Sequence, residues 1–120
     1  MSETFDVHVM SFPAVLTGGT EVPLVHLPTS GGGITVLDAY MINAGTTVGG
    51  LLVTMTNVGT PALSGTIGAL AATVTESATI PAAITISDGW VAAGEWIGFD
   101  QTSGTVPAGS FFTLSYIMGR

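Results

Sequence analysis

The sequence predicts an all-β fold, namely an antiparallel β-sandwich that is jelly-roll-like and has about eight short strands. Nearly a third of the 120 residues are β-branched, with 18 Thr, 12 Val and 8 Ile, and these side chains fit a pleated sheet better than a helix. No segment shows a helical period, and glycine and proline interrupt the apolar stretches at intervals typical of a sandwich. Because the length suits one core and no linker or repeat is visible, residues 1–120 are expected to form a single domain.

Four strands are expected in the first half of the chain, at residues 5–12, 21–27, 34–42 and 51–58. Alternation in the third strand places four apolar residues on one face: Ile34, Val36, Tyr40 and Ile42. Asp38 falls on that same face, which indicates an edge, a bulge or a hydrogen bond to a neighbouring backbone N–H. The glycine-rich residues 44–50 are expected to form a loop.

Four further strands are expected in the second half, at residues 66–75, 80–86, 95–99 and 110–118. The first of them is the weakest, because residues 68–72 could instead form one helical turn. Asp88 and Gly89 are a tight-turn signal, and residues 101–104 resemble a polar loop. The last strand is expected to place four side chains on one face: Phe112, Leu114, Tyr116 and Met118.

Charge is scarce and almost entirely negative. The chain has eight carboxylates, one arginine (Arg120) and no lysine, so the net charge is −7 and only 8% of the residues are charged. An average soluble domain has about 25% charged residues. A surface buried against other subunits is the preferred explanation, and a neutral Ser/Thr surface on a monomer is the alternative. The acidic balance argues against nucleic acid and anionic membranes as partners, and no stretch resembles a spanning helix.

The missing residue types also remove much catalytic chemistry. Without lysine or cysteine, the chain cannot form a Schiff base, a P-loop or a thiolate nucleophile. We therefore expect a protein that is not an enzyme and that has no cofactor and no bound metal. The acidic start of the chain shows no secretory signal, and the absence of cysteine fits assembly in a reducing cytoplasm.

Three acids are the candidate catalytic residues. Asp88, Glu95 and Asp100 lie in the segment that also holds Trp90 and Trp96, and acids beside aromatic residues can suit a site that cleaves sugars. Each acid nevertheless occupies an ordinary turn or strand-end position, so a structural role in turns is the preferred interpretation.

Histidines and glycines give weaker candidates. Asp6 and His8 project from the same side of a strand, and Glu21 and His26 are the other obvious metal donors. No ligand spacing supports a metal site, so an exposed His–Asp pair is preferred. The glycines at 31–33 lack the following helix and lysine of a phosphate cradle, and a hairpin or loop is expected there.

Two alternatives remain open for the tryptophans. If residues 90–99 formed one unbroken strand, Trp90 and Trp96 would share a face, as a sugar-stacking platform or a subunit contact. If residues 92–94 form a turn, the two separate and one enters the core. Core packing with subunit contact is preferred over a ligand platform. The predicted subunit or partner interface comprises seven residues: Phe5, Val7, Val9, Phe12, Tyr40, Trp90 and Trp96.

The closing part of the chain has an acid–aromatic turn at residues 91–96, a Pro-Ala-Gly loop at 107–109 and a strand containing Tyr116. With residues 34–40, these features resemble the closing strands of small β-sandwich proteins of tailed-phage particles. They are also similar, more loosely, to trimeric jelly-roll modules of the tumour-necrosis-factor and complement-head type. The resemblance implies a virion structural protein, a head decoration or cement protein that stabilises the phage head by bridging capsomers.

The same resemblance implies partners and a location. The protein would be a homotrimer on the major capsid protein, made in the host cytoplasm and placed on the capsid surface. Residues 1–12 would contact the partner, with residues 4–12 joining a capsid sheet by strand addition. The alternative is a tail-fibre or head-fibre module that binds a cell-surface glycan through Trp90, Trp96, Tyr40 or exposed loops. A glycosidase-like enzyme is a third interpretation.

Overall fold

The computed structural model describes residues 6–42, 48–58, 64–72 and 81–119. Within them the protein is an all-β, jelly-roll-like antiparallel sandwich without helices, so the predicted fold class is confirmed. The described residues contain nine strands: β1 (His8–Pro13), β2 (Glu21–His26), β3 (Ile34–Ile42), β4 (Val48–Val58), β5 (Ser64–Ala72), β6 (Pro81–Ile86), β7 (Trp90–Val91), β8 (Trp96–Thr105) and β9 (Phe111–Met118).

One strand joins the two sheets of the sandwich. Sheet A contains β1, β9 and β3 in that order, and sheet B contains β5, β4, β8 and β2. The first part of β6, residues 81–84, pairs with β3, whereas Thr85 and Ile86 pair with β5. Since β6 changes sheet along its length, it forms a corner of the sandwich. The short β7 pairs with the start of β3, and β1 and β2 are the two end strands of the order.

Aromatic packing holds the two sheets together. Phe99 of β8 stacks on Phe112 of β9 with ring centroids 4.1 Å apart, and both side chains are fully buried. Phe12 of β1 tilts against each of them at 5.7 Å. The other large, fully buried side chains that the structure describes belong to the same core: Val36, Met41, Val53, Met55, Ile67, Val91, Ile97 and Leu114.

Local patterns predicted most strands well. The strand predicted at residues 34–42 is β3 with the same bounds, and those predicted at 21–27, 80–86 and 110–118 begin or end within one residue of β2, β6 and β9. The helical turn considered for residues 68–72 is wrong, because these residues belong to β5. A Cβ at Gly68 would overlap the carbonyl oxygen of Thr85 on the adjacent β6. The absence of a side chain at Gly68 therefore permits the close approach of β5 and β6.

The face predicted for β3 is wrong after Val36, because the strand contains a bulge. Its register against β9 shifts between Val36 and Asp38, and both Leu37 and Asp38 are exposed. The extra residue reverses the alternation, so Tyr40 lies on the side opposite Val36. The buried apolar residues of β3 are Ile34, Val36, Ala39 and Met41. The bulge was one of the alternatives that Asp38 indicated.

Two predicted loops are partly wrong because strands continue through them. The polar residues 101–104 belong to β8, where Gln101 is buried and donates a hydrogen bond from Nε2 to the carbonyl oxygen of Gly104. Residues 48–50 belong to β4, whereas residues 44–47 of the predicted loop lie outside the described residues. Pairing with β4 extends β8, which local composition did not indicate.

The turn predicted at Asp88 and Gly89 interrupts a strand rather than reversing the chain. Both β6 and β7 run antiparallel to β3 on the same side, so the chain keeps its direction. The backbone N–H of Val36 donates to the carbonyl oxygen of Gly89 at 2.8 Å. A Cβ at Gly89 would overlap the carbonyl oxygen of Val36, so the absence of a side chain permits this close approach.

Candidate subunit interface

The outer face of sheet A, called outer face A, is formed by the strand side chains that point away from sheet B. Directly paired residues of antiparallel strands point to the same side. Val9 pairs with Ser115, Thr113 with Tyr40, and Thr35 with Trp90. The described residues on this face are Val9, Ser11, Pro13, Thr35, Asp38, Tyr40, Ile42, Ala83, Trp90, Phe111, Thr113, Ser115 and Ile117.

Exposed apolar side chains are concentrated on or next to sheet A. Among the side chains that the structure describes, the exposed large apolar residues are Val7, Val9, Val15, Leu37, Tyr40, Phe111 and Met118. All of them belong to β1, β3 and β9 or to the segments that flank β1, and none belongs to sheet B. Val9 is 66% exposed, Phe111 38% and Tyr40 37%. This asymmetry among the described side chains makes sheet A the candidate contact surface.

The polar groups of outer face A bond mainly to one another. The hydroxyls of Ser11 and Thr113 lie 3.0 Å apart in a hydrogen bond. Ser115 donates its hydroxyl to Oδ2 of Asp38 at 3.2 Å. Asp38 is the only carboxylate among the described residues of this face. Because these groups already have partners, covering the face would cost less desolvation than covering free hydroxyls.

Trp90 lies on outer face A above a glycine. A Cβ at Gly33 would lie 2.6 Å from the Cη2 atom of Trp90 and would overlap the carbonyl oxygen of Val91. Gly33, the last residue of the predicted glycine loop, is itself buried. This glycine therefore accommodates the indole ring, a role that the sequence did not indicate.

Four of the seven predicted interface residues lie on or next to outer face A. Tyr40 and Trp90 are on it together with Val9, and Val7 precedes β1. Phe12 points the other way, into the core between the sheets. Phe5 lies outside the described residues.

Trp96, the remaining member of that set, lies on sheet B. Residues 93 and 94 form a turn, with Gly94 at φ +84°, and this turn separates Trp90 from Trp96 as the second alternative predicted. Both rings are only partly buried, so the expectation that one tryptophan enters the core is wrong. Trp96 instead stacks on His26 of β2, with ring centroids 4.3 Å apart. Trp96 and His26 pair directly in adjacent strands, so their rings lie on the same side, which is the outer side of sheet B.

Two candidate catalytic acids stabilise turns. Asp88 accepts a hydrogen bond from the backbone N–H of Trp90 at 3.1 Å. Glu95 accepts one from the backbone N–H of Ala92 at 2.7 Å, and its Oε1 also lies 3.5 Å from Nδ2 of Asn57. Asp88 and Glu95 thus each accept a backbone hydrogen bond in the segments that flank β7.

Asp100 differs from the other two acids, because it lies within β8 rather than at a strand end. It pairs directly with Glu21 of β2, so two carboxylates face each other on the outer side of sheet B. Thr56 donates its hydroxyl to Oε2 of Glu21 at 2.5 Å. Oδ1 of Asp100 is buried and has no hydrogen-bond partner within the described part of the chain.

The candidate metal donors are spread over different contacts. His8 stacks on Tyr116 at 5.4 Å, whereas His26 stacks on Trp96. Within residues 6–42, 48–58, 64–72 and 81–119, no group of three or more His, Asp or Glu side chains is arranged to hold a metal ion. Asp6 and His8 are both exposed, and the ring of His8 also contacts Tyr116.

Two clefts were not foreseen from the sequence. The first, called the edge groove, has a volume of about 640 Å³ and is lined by residues 11–16 and 106–111. The second, of about 300 Å³, lies beside His26 and Tyr116 and is otherwise mainly apolar. Each cleft combines segments distant in sequence, and local patterns carry no signal for such a combination.

Comparisons of this chain with protein-family models, with curated proteins and with solved structures found no match. A helix of the length and apolarity required to cross a membrane is absent from the described residues.

Proposed function

We propose that this chain is a non-enzymatic structural protein of a tailed-phage particle, a head decoration protein that bridges capsomers as a homotrimer. The observation that carries the proposal is outer face A, which combines exposed apolar side chains with a single carboxylate, Asp38, among its described residues. A face of this kind resembles the core of a protein interface, where charged residues are depleted and aromatic residues are enriched.

Outer face A itself carries one of the six carboxylates of the described residues, Asp38. Glu21, Glu95 and Asp100 lie on or beside sheet B, whereas Asp6 and Asp88 lie in the segments that precede β1 and β7. With a net charge of −7, the side left exposed would be acidic, which favours solubility and repels packaged nucleic acid. Closed symmetry would bury outer face A in every subunit, and about 800 Å² per partner suffices for a stable contact.

The predicted contact residues have different roles in this proposal. Val9, Tyr40 and Trp90 would contact the neighbouring subunit or the major capsid protein directly, with Val7 at the margin. Phe12 would act indirectly, since its ring supports β1 from the core side. The assembly would use adhesion alone, with no covalent step.

The first test is the molar mass of the purified chain by light scattering, where a trimer would have three times the mass of 12.1 kDa. The second is co-sedimentation with phage heads that lack their decoration protein, where stoichiometric binding and greater heat resistance are expected.

Tyr40→Glu should abolish both self-association and head binding, because it places a carboxylate within outer face A. Thr102→Glu is the matched control, since Thr102 is exposed on β8 of sheet B. A chain that stays monomeric and leaves heads unbound would contradict the proposal.

A glycan-binding fibre module is the second candidate, and the stacked pair of Trp96 and His26 favours it. Their ring planes lie 23° apart, and Glu21 and Asp100 lie on the same side of sheet B. Aromatic rings beside carboxylates can stack on sugars and accept hydrogen bonds from hydroxyls. This candidate predicts glycan-array binding that Trp96→Ala abolishes and Tyr40→Glu leaves unchanged. If neither the unmodified chain nor Tyr40→Glu bound any glycan, this candidate function would be contradicted.

A further inference from the structure

Within the part of the chain that the structure describes, β1 and β2 are the end strands of the sheet order, and their free edges are protected differently. In β2, Pro23 lacks an N–H donor and the register against β8 shifts between Pro23 and Val25, two features that block edge pairing. In β1, no proline occurs before Pro13 and the register against β9 is continuous. Edge lysines, another common protection, are absent because the chain has no lysine.

The direction of the free backbone groups of β1 follows from its ladder with β9. The N–H of Ala14 donates to the carbonyl oxygen of Ser110 at 2.9 Å, in the register of the β1–β9 pairs. Antiparallel ladders alternate with a period of two, so Val9 and Ser11 direct their N–H and C=O groups away from β9. Pro13 also occupies an outward position, and the outward donors end there because proline has no N–H.

We propose that a second copy of this chain pairs with the free edge of β1, antiparallel and about a two-fold axis that passes beside Val9. Val9 would lie opposite Val9 of the second copy, and Val7 opposite Ser11 of the second copy. By symmetry, Ser11 would lie opposite Val7 of the second copy. Each of these three pairs exchanges two backbone hydrogen bonds, so the contact would contain about six. The two copies of sheet A then form one continuous sheet.

Side chains in this register are compatible with pairing. The exposed Val9 would meet its own counterpart across the axis, and apolar cross-strand pairs of this kind are stabilising. Asp6 would lie opposite Phe12 of the second copy, so no two carboxylates face each other. A symmetric contact is isologous, which requires a self-complementary strand of this type.

The edge groove extends this contact surface. The backbone ladder alone would bury less surface than the area of about 800 Å² per partner that is typical of a stable interface. Residues 11–13 of β1 line one side of the groove, and exposed Val15 lies next to them. The antiparallel register directs the backbone of the second copy, from its Val7 through its Asp6, toward this groove. Edge and groove thus form one continuous docking surface, in which Asp6 is the only carboxylate among the described residues.

The inference goes beyond the proposed function, because it concerns the edge of β1 rather than outer face A and does not require a phage particle. Where subunits also associate through outer face A, β1 pairing would link two such assemblies. Because Val9 lies on outer face A as well as on the edge, Tyr40→Glu is used to separate the tests of the two contacts.

The experiment is disulfide trapping in a chain that naturally has no cysteine. Val9→Cys places one thiol beside the two-fold axis, where the Cα atoms of opposed residues would be about 5.5 Å apart, within the range that a disulfide spans. Val15→Cys is the matched control, because Val15 is 70% exposed and Val9 66%. Under mild oxidation at low micromolar concentration, Val9→Cys should dimerise roughly a hundredfold faster than Val15→Cys, since adjacent thiols have an effective concentration on the order of millimolar.

A charge-exchange series in the Tyr40→Glu background, where association through outer face A is removed, is the second measurement, read as molar mass. Val9→Lys and Val9→Glu should each lose β1 pairing, because like charges would meet across the axis, and an equimolar mixture should recover it. Thr102→Lys and Thr102→Glu control for the change in net charge, because Thr102 is exposed on β8 of sheet B and does not line the edge groove. Equal oxidation rates at positions 9 and 15, or no recovery in the mixture, would overturn the inference. The double variant with Val9→Cys and Tyr40→Glu tests whether β1 pairing requires outer face A. Disulfide trapping that persists in this variant would support a separate edge contact, whereas its loss would contradict a separate edge contact.

Discussion

The ring of Phe99 on β8 lies nearly parallel to the ring of Phe112 on β9, at 14° between planes, and this pair connects sheet B to sheet A. Both side chains are completely buried, so the contact contributes to stability through apolar burial and ring stacking. The neighbour of Phe112 in the sequence, Phe111, points to the opposite side and is partly exposed on outer face A.

Phe112→Ala should therefore lower the free energy of unfolding by about 3–5 kcal/mol, the usual cost of deleting a buried aromatic ring. Phe111→Ala is the matched control and should cost well under half as much, since its ring is 38% exposed. Urea denaturation followed by circular dichroism measures both. Equal losses for the two variants would contradict the assigned faces of β9.

Gly33→Ala should destabilise the protein by about 1–3 kcal/mol, because the added methyl group meets the indole of Trp90 and the carbonyl of Val91. Gly32→Ala is the control, since a Cβ at that position meets no atom within 4 Å. Thermal unfolding gives the stability, and tryptophan fluorescence should change only in the Gly33 variant. A neutral Gly33→Ala would show that the indole does not rest on this glycine.

Asp100→Asn should raise the free energy of unfolding by roughly 0.2–1 kcal/mol, because it removes one of two carboxylates that face each other across β2 and β8. The new amide can also donate to Glu21. The gain should shrink in 1 M salt, where the Debye length is about 3 Å. Asp6→Asn, at an exposed position before β1, is the control. A loss of stability in Asp100→Asn would indicate that the carboxylate has an essential partner.

Glu95→Ala should cost about 1 kcal/mol, because the backbone N–H of Ala92 loses its acceptor within the turn. Glu95→Gln keeps an acceptor oxygen and should cost less than half as much. Chemical denaturation compares the two variants directly. If both were equally destabilised, the negative charge rather than the hydrogen bond would be the important property of Glu95.

Local sequence predicted most strands but not all of their faces. Alternation placed β3 at residues 34–42, yet the same alternation assigned Tyr40 to the face of Ile34 and Val36. The bulge at Leu37 reversed the assignment, and it depends on pairing with β9, about 75 residues further along the chain. Asp38 was the one local signal of this irregularity.

The candidate contact surface was predicted in part for a similar reason. Val9, Tyr40 and Trp90 were selected as apolar or aromatic residues in strands, and the structure places them on one face. Phe12 was selected by the same criterion, but its position in the alternation of β1 directs it into the core. Trp96 lies on the other sheet because the turn at residues 93 and 94 separates the tryptophans.

The sequence by itself determined the fold class and most strand positions, because β-branched content, alternation and turn residues act over a few neighbouring positions. It also determined the scarcity of charge and the absence of lysine and cysteine. Only the tertiary structure decided that, among the described side chains, the exposed large apolar residues gather at sheet A, that Asp100 faces Glu21, and that the described edge of β1 has the continuous register that β2 lacks. These properties depend on which distant strands become neighbours and in which register, and a shift of one residue moves a side chain to the opposite face.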